Sequence, residues 1–162
     1  MKNLLENSRW LLWLGFQRQT IDARERTRDV AGAVLALLLT GGVSWWTWGA
    51  DSLWLGAPMG ASAVLLFAVP SSPLAQPWPV VVGNVMAALV GVLVFRTLGA
   101  TPVSAALAGG LALALMFPLR CVHPPGGAVA ITAVVGGAAV HTLGFGFALT
   151  PIAVNSVAMV AC

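Results

Sequence analysis

Arg120-Cys121-Val122-His123-Pro124-Pro125-Gly126-Gly127-Ala128 breaks into a chain that is otherwise overwhelmingly apolar from Val30 onward. Two consecutive prolines cannot continue a helix, because each lacks an N–H and its ring clashes with the preceding turn. Pro124 can begin one, since the first helical position needs no donor and favours the fixed φ of proline. Polar groups and irregular backbone at membrane depth persist only where protein or a water-filled cavity solvates them. The stretch therefore marks a candidate site whose members are His123, Pro124, Pro125, Gly126, Gly127 and Ala128.

Composition puts the rest of the chain in a membrane. Of 162 residues, 59% are hydrophobic and 8% charged, where a soluble domain carries about 25% charged residues. Lys2, Arg9, Arg18, Arg24, Arg26 and Arg28 all precede the first long apolar run, which orients the N-terminus to the cytoplasm by the positive-inside rule. The expected location is a bacterial inner membrane. Nucleic acid is excluded as a partner, because these arginines alternate with Asp22, Glu25 and Asp29 and adjoin a span. Cys121 and Cys162 have no paired spacing, and a zinc site needs about four donors. No metal and no cofactor is expected, and with no carboxylate pair or nucleotide loop the chain does not read as an enzyme.

Residues 1–28 do not resemble a cleavable signal, since positive charge continues past the short apolar part and no small-residue cleavage site follows. Trp10-Leu11-Leu12-Trp13-Leu14-Gly15-Phe16 between Arg9 and Arg18 predicts an interfacial amphipathic helix. Six apolar segments follow, at about 30–49, 53–70, 79–98, 102–119, 124–140 and 143–162. Crossing the hydrocarbon core takes about 20 helical residues. The first, third, fourth and sixth segments predict full spans; the second and fifth predict broken or re-entrant helices.

In the second segment, Pro58-Met59-Gly60-Ala61-Ser62 plays the part that His123-Pro124-Pro125-Gly126-Gly127 plays in the fifth. Asn84 and Asn155 then fall in corresponding later spans. The predicted fold class is all-α: a polytopic membrane helical bundle of four full spans plus two broken or re-entrant helices. It forms an inverted 3+3 repeat, with repeat 1 over about 29–98 and repeat 2 over about 101–162. Interrupted apolar segments at matching places in two halves point to a transporter binding site. Arg96 and Arg120 fall on opposite sides in six crossings and exchange sides if the broken segments re-enter, so their charges leave the topology open.

Helix N-termini bind anions through unpaired N–H groups and a partial positive charge. Helices starting near Met59 and Pro125 and facing each other would converge on one small anion. Pro58, Met59, Gly60, Ala61, Ser62, Asn84 and Asn155 join the 123–128 residues as the candidate binding set, with His123 as a helper that can be protonated. Past Asp51 there is no acidic residue to bind a cation. Each residue also has a plainer reading: His123 as a scaffold hydrogen-bonder, Arg120 as a snorkelling side chain, His141 as a loop residue, and the asparagines as interhelical partners. The prolines of 70–79 predict an ordered connection. The competing function is a non-transporting membrane scaffold.

His123-Pro124-Pro125-Gly126-Gly127-Ala128, Gly60-Ala61-Ser62-Ala63-Val64-Leu65-Leu66-Phe67 and Pro70-Ser71-Ser72-Pro73-Leu74-Ala75-Gln76-Pro77, in that combination, resemble the HPP family of integral membrane proteins over about residues 25–160. The resemblance implies a four-helix membrane protein, and plant plastid members look like nitrite transporters. A small inorganic anion, nitrite first, is thus the implied partner beside the lipid bilayer, and a homo-oligomer is expected. The chain departs from the family pattern by stopping at Cys162 inside an apolar run, without a polar tail.

Overall fold

The computed structural model describes residues 22–49 and 53–162, and among them every regular element is helical. The predicted interfacial helix at 10–16 lies outside the described residues. Helix α1 spans Ala23–Trp48, capped by the Asp22 carboxylate on the Ala23 N–H and closed by Gly49 at φ 62°. Helix α2 spans Leu53–Ala68. A wide, π-helical turn at Pro79–Gly83 runs into α3, Asn84–Leu98. Helix α4, Pro102–Met116, opens with a reciprocal capping box between Thr101 and Ser104. Helix α5 spans Pro124–Val135 and the short α6 spans Gly137–His141. A second wide turn, Ala148–Ala153, leads into α7, Val154–Ala161.

Two expectations about these elements change. Helix α2 begins at Leu53 and carries Pro58 inside it, so no helix starts near Met59. Backbone at membrane depth must pair internally. Losing the one bond from Pro58 costs less than leaving residues 53–57 unwound. The sixth segment, expected to be an ordinary span, is kinked instead. Thr150 is extended at φ −132° and ψ 114° before Pro151, as a residue preceding proline tends to be. Helix α5 does begin at Pro124, with His123 as its N-cap, as the double proline predicts.

Among the described residues, two helices are long and apolar enough to cross a membrane, Ala23–Trp46 and Pro79–Leu98. The 15 residues of α4 reach about 22 Å and the 12 of α5 about 18 Å, short of a hydrocarbon core of about 30 Å. Among the described residues, two of the four expected full spans meet this measure. Helix α1 packs on α2 and α7, α4 packs on α3 and α5, and α2 meets α5. The tightest seam joins α3 and α5. There a Cβ on Gly91 would collide with the Ala130 carbonyl, and one on Gly83 would sit 2.6 Å from the Cys121 carbonyl and 2.9 Å from the His123 Cβ.

The helices alternate in direction. At one end the start of α1, the end of α2 and the end of α7 line one groove, through Arg24, Leu66, Phe67 and Val160 among others, and Pro70 and Pro77 join them. The indole of the neighbouring Trp78 donates to the Leu119 carbonyl at 3.2 Å, which brings Arg120 to this end. At the other end Phe95 stacks on His141 at 3.5 Å, and the Arg96 guanidinium lies 5.2 Å from the Phe145 ring. In a variant with Cys121 and Cys162 replaced by serine, Arg96→Cys and Arg120→Cys should react with an impermeant maleimide from opposite faces of sealed vesicles. Labelling of both from one face would contradict this arrangement.

Candidate functional site

After α4 the chain turns through Arg120, which takes a left-handed φ of 52° and remains exposed. The Arg120 N–H bonds the Phe117 carbonyl and the Cys121 N–H the Met116 carbonyl, at 3.1 and 3.0 Å. This tight turn directs His123 inward, where the missing side chain of Gly83 makes room for it. The imidazole is fully buried. Its Nδ1 lies 2.9 Å from the Leu74 carbonyl and its Nε2 2.9 Å from the Ser62 hydroxyl.

A carbonyl oxygen only accepts, so Nδ1 carries the proton and Nε2 of the neutral ring accepts from Ser62. The Leu74 carbonyl is held in place by its own short turn. Ser72 caps Pro73–Ala75 by accepting from the Leu74 N–H, and the Gln76 amide donates to the Pro70 and Ser72 carbonyls. The prolines of 70–79 thus form the ordered connection they predict, and that connection fixes the tautomer.

From Ser62 the polar contacts continue inward. The Asn84 amide nitrogen donates to Ser62 Oγ at 3.3 Å and to Ser156 Oγ at 3.2 Å. Next to Ser156 in the chain, Asn155 donates to Ser44 Oγ of α1 at 2.8 Å. All of these side chains are buried. The Phe67 ring fills the space over Gly32 of α1, which puts those two residues at one level. Ser44 lies twelve residues further along α1, about 18 Å along its axis. The contacts thus run from the Leu74 carbonyl through His123, Ser62 and Asn84 to Ser156, and the Asn155–Ser44 bond ties α7 to α1 one residue away along the chain. Two atoms of these side chains have no partner, Asn84 Oδ1 and Asn155 Oδ1. A buried unpaired acceptor costs about 1–3 kcal/mol.

The structure brings together His123, Ser62 and Asn84 from the predicted set, and Asn155 joins them along α7. The others do not assemble into a site. Pro58, Met59, Pro125 and Gly126 are buried packing residues, and a Cβ added to Gly126 would sit 2.6 Å from the Met116 methyl. Pro124, Ala61 and Ala128 are exposed, while Gly60 and Gly127 have no atom within 4 Å of an added Cβ. The expected pair of opposed helix N-termini is absent. Helix α2 starts at Leu53, far from Met59, and the first turn of α5 has few donors to offer. Pro124 and Pro125 have no N–H, and the Gly126 N–H bonds the His123 carbonyl at 2.8 Å.

Ser156, Ser44 and the Leu74 carbonyl were not singled out by sequence reasoning. A serine beside a buried asparagine was the available signal for Ser156. His141, expected in a loop, ends α6, stacks on Phe95 and makes a 2.9 Å contact from Nε2 to the Val134 carbonyl.

If the relay acts as a unit, its members should couple energetically. Ser62→Ala strands Nε2 of His123 and should cost about 1–3 kcal/mol. A thermal-denaturation cycle in detergent with Asn84→Ala should show a coupling of about 0.5–3 kcal/mol. Additivity within about 0.3–0.5 kcal/mol would show that the two side chains act independently.

The profile of the family described as "HPP, transmembrane region" matches residues 18–162. A transmembrane protein of Dictyostelium discoideum is 39% identical over 113 residues, covering 67% of this chain and 36% of that protein. A second transmembrane protein of the same organism is 44% identical over 80 residues, covering 47% of this chain and 28% of its own length. The chain thus spans about a third of the length of these curated relatives. No solved structure matches it significantly. With the double-proline motif at the start of α5 and the family profile running through every described helix, this chain is a membrane protein of the HPP transmembrane family.

Proposed function

We propose that this protein carries a small inorganic anion across the membrane, with nitrite as the substrate that the family resemblance favours. The observation that carries the reading is the buried chain of contacts His123–Ser62–Asn84–Ser156, with the neighbouring Asn155–Ser44 pair, in an interior that among the described residues buries no acidic side chain. Such a track is expensive in a purely structural bundle, where apolar packing would serve better. Hydroxyl and amide N–H groups can replace part of an anion's hydration, and a carboxylate-free path does not repel it. Side chains, not helix ends, are the ligands in this reading.

The packing pattern supports an inverted 3+3 repeat. Helix α1 packs on α2 as α4 packs on α5, and α3 packs on α4 as α7 packs on α1. Inverted repeats meeting at a central polar site suit alternating access. The N-terminal arginines favour the cytoplasm for the groove end, with a bacterial inner membrane as the proposed location. Large exposed side chains such as Leu38 and Trp46 face lipid or a second copy.

The test is flux in proteoliposomes with the purified full chain. Nitrite or nitrate uptake should exceed that of empty vesicles and fall at least about tenfold, the equivalent of about 1.4 kcal/mol, in Asn84→Ala. Rates equal to empty vesicles for both anions would overturn the reading and leave the scaffold role.

A further inference from the structure

The track as it stands presents the wrong atoms to an anion. Both unpartnered groups, Asn84 Oδ1 and Asn155 Oδ1, are acceptors, and the Asn84 N–H donors are already taken by Ser62 and Ser156. The Ser62 hydroxyl proton is committed to Nε2 of His123, because Nδ1–H is committed to the Leu74 carbonyl. One event releases the Ser62 and Asn84 commitments together, while Nδ1–H stays on the Leu74 carbonyl.

We propose that His123 binds a proton that travels with the anion, and that this proton reverses the His123–Ser62–Asn84 relay. The inference rests on the anion reading above and names its co-substrate. When Nε2 gains a proton it donates to Ser62 Oγ. The Ser62 hydroxyl hydrogen is then free to point at Asn84, whose amide turns half a revolution so that Oδ1 accepts from Ser62 and from the Ser156 hydroxyl. The amide nitrogen now occupies the place of the orphan oxygen, and its two N–H groups face the substrate. No bond other than N–H at Nε2 is made, and the proton leaves by the reverse steps when the anion does.

Charge supports the coupling. A lone imidazolium or a lone anion is costly in an apolar interior, whereas the two together are neutral overall. Nothing nearby substitutes for either. Helices α2, α4 and α5, the Pro73–Ala75 turn and the Pro79–Gly83 turn carry no charged or titratable side chain. The titratable group of α3 is Arg96, at the far end on Phe145. In the loop before α5, Cys121 is a buried thiol and Arg120 is exposed.

Linkage makes the inference testable on the wild-type protein, with one variant as a control. If protonation promotes anion binding, the anion must promote protonation by the same factor. Nitrite binding should tighten by up to about tenfold per pH unit of acidification across the His123 titration. In 15N-histidine NMR, with His141 assigned by difference, nitrite should raise the protonated fraction of His123. In vesicles, anion uptake should carry protons inward beyond what nitrous acid diffusion gives in empty vesicles, and Ser62→Ala should make uptake insensitive to pH. Anion flux that is flat with pH, with His123 titration unmoved by nitrite, overturns the proton coupling and leaves the anion reading intact. No flux above empty vesicles at any pH overturns both.

Discussion

An imidazole bonded through both nitrogens inside an apolar bundle is the constraint on which the other features depend. His123 reaches its position because Gly83 leaves room for its Cβ and because the turn through Arg120 brings the chain inward. The Leu74 carbonyl meets Nδ1 only if the short turn at Pro73–Ala75 is held by Ser72 and Gln76. Helix α5 then begins at Pro124, since the residue before it is the one that dips to the ring. Loop geometry, helix start and ring tautomer are one structural solution. Removing any of them leaves a buried polar group unpaired, at a cost comparable to a good share of a marginal stability.

The same arrangement changes the chemistry of recognition. A helix N-terminus attracts anions through free N–H groups, but a double proline at the first two positions of α5 removes them. In the proposed reading, recognition falls to hydroxyl and amide side chains, whose direction can be switched. Backbone donors have a fixed polarity, whereas a Ser–Asn pair can present either end. Such a relay is useful in a carrier, which must both hold and release its substrate.

Much of this could be read from the sequence, and the failures have physical causes. The start of α5 was legible because proline at that place has one helical role. The start of α2 was not, because Pro58 near the beginning of a helix costs one bond and the membrane penalises unwinding more heavily. The kink at Thr150 had a visible signal in Pro151 but was hidden by its apolar neighbours. His123, Ser62, Asn84 and Asn155 stood out as polar residues in apolar runs. Their mutual contacts did not, since Ser62 and His123 are 61 residues apart and Asn84 and Ser156 are 72 apart. The Leu74 carbonyl was invisible in principle, being backbone.

The central claim is that an anion is held by the Asn84 amide beside His123. It is tested most directly by solid-state NMR on the isotope-labelled protein in bilayers with 15N-nitrite. Dipolar contacts from the nitrite nitrogen to the Asn84 and His123 side chains, lost on competition with unlabelled nitrite, are the expected result. Contacts confined to surface arginines such as Arg24 and Arg28, with Asn84 and His123 unaffected, would contradict it.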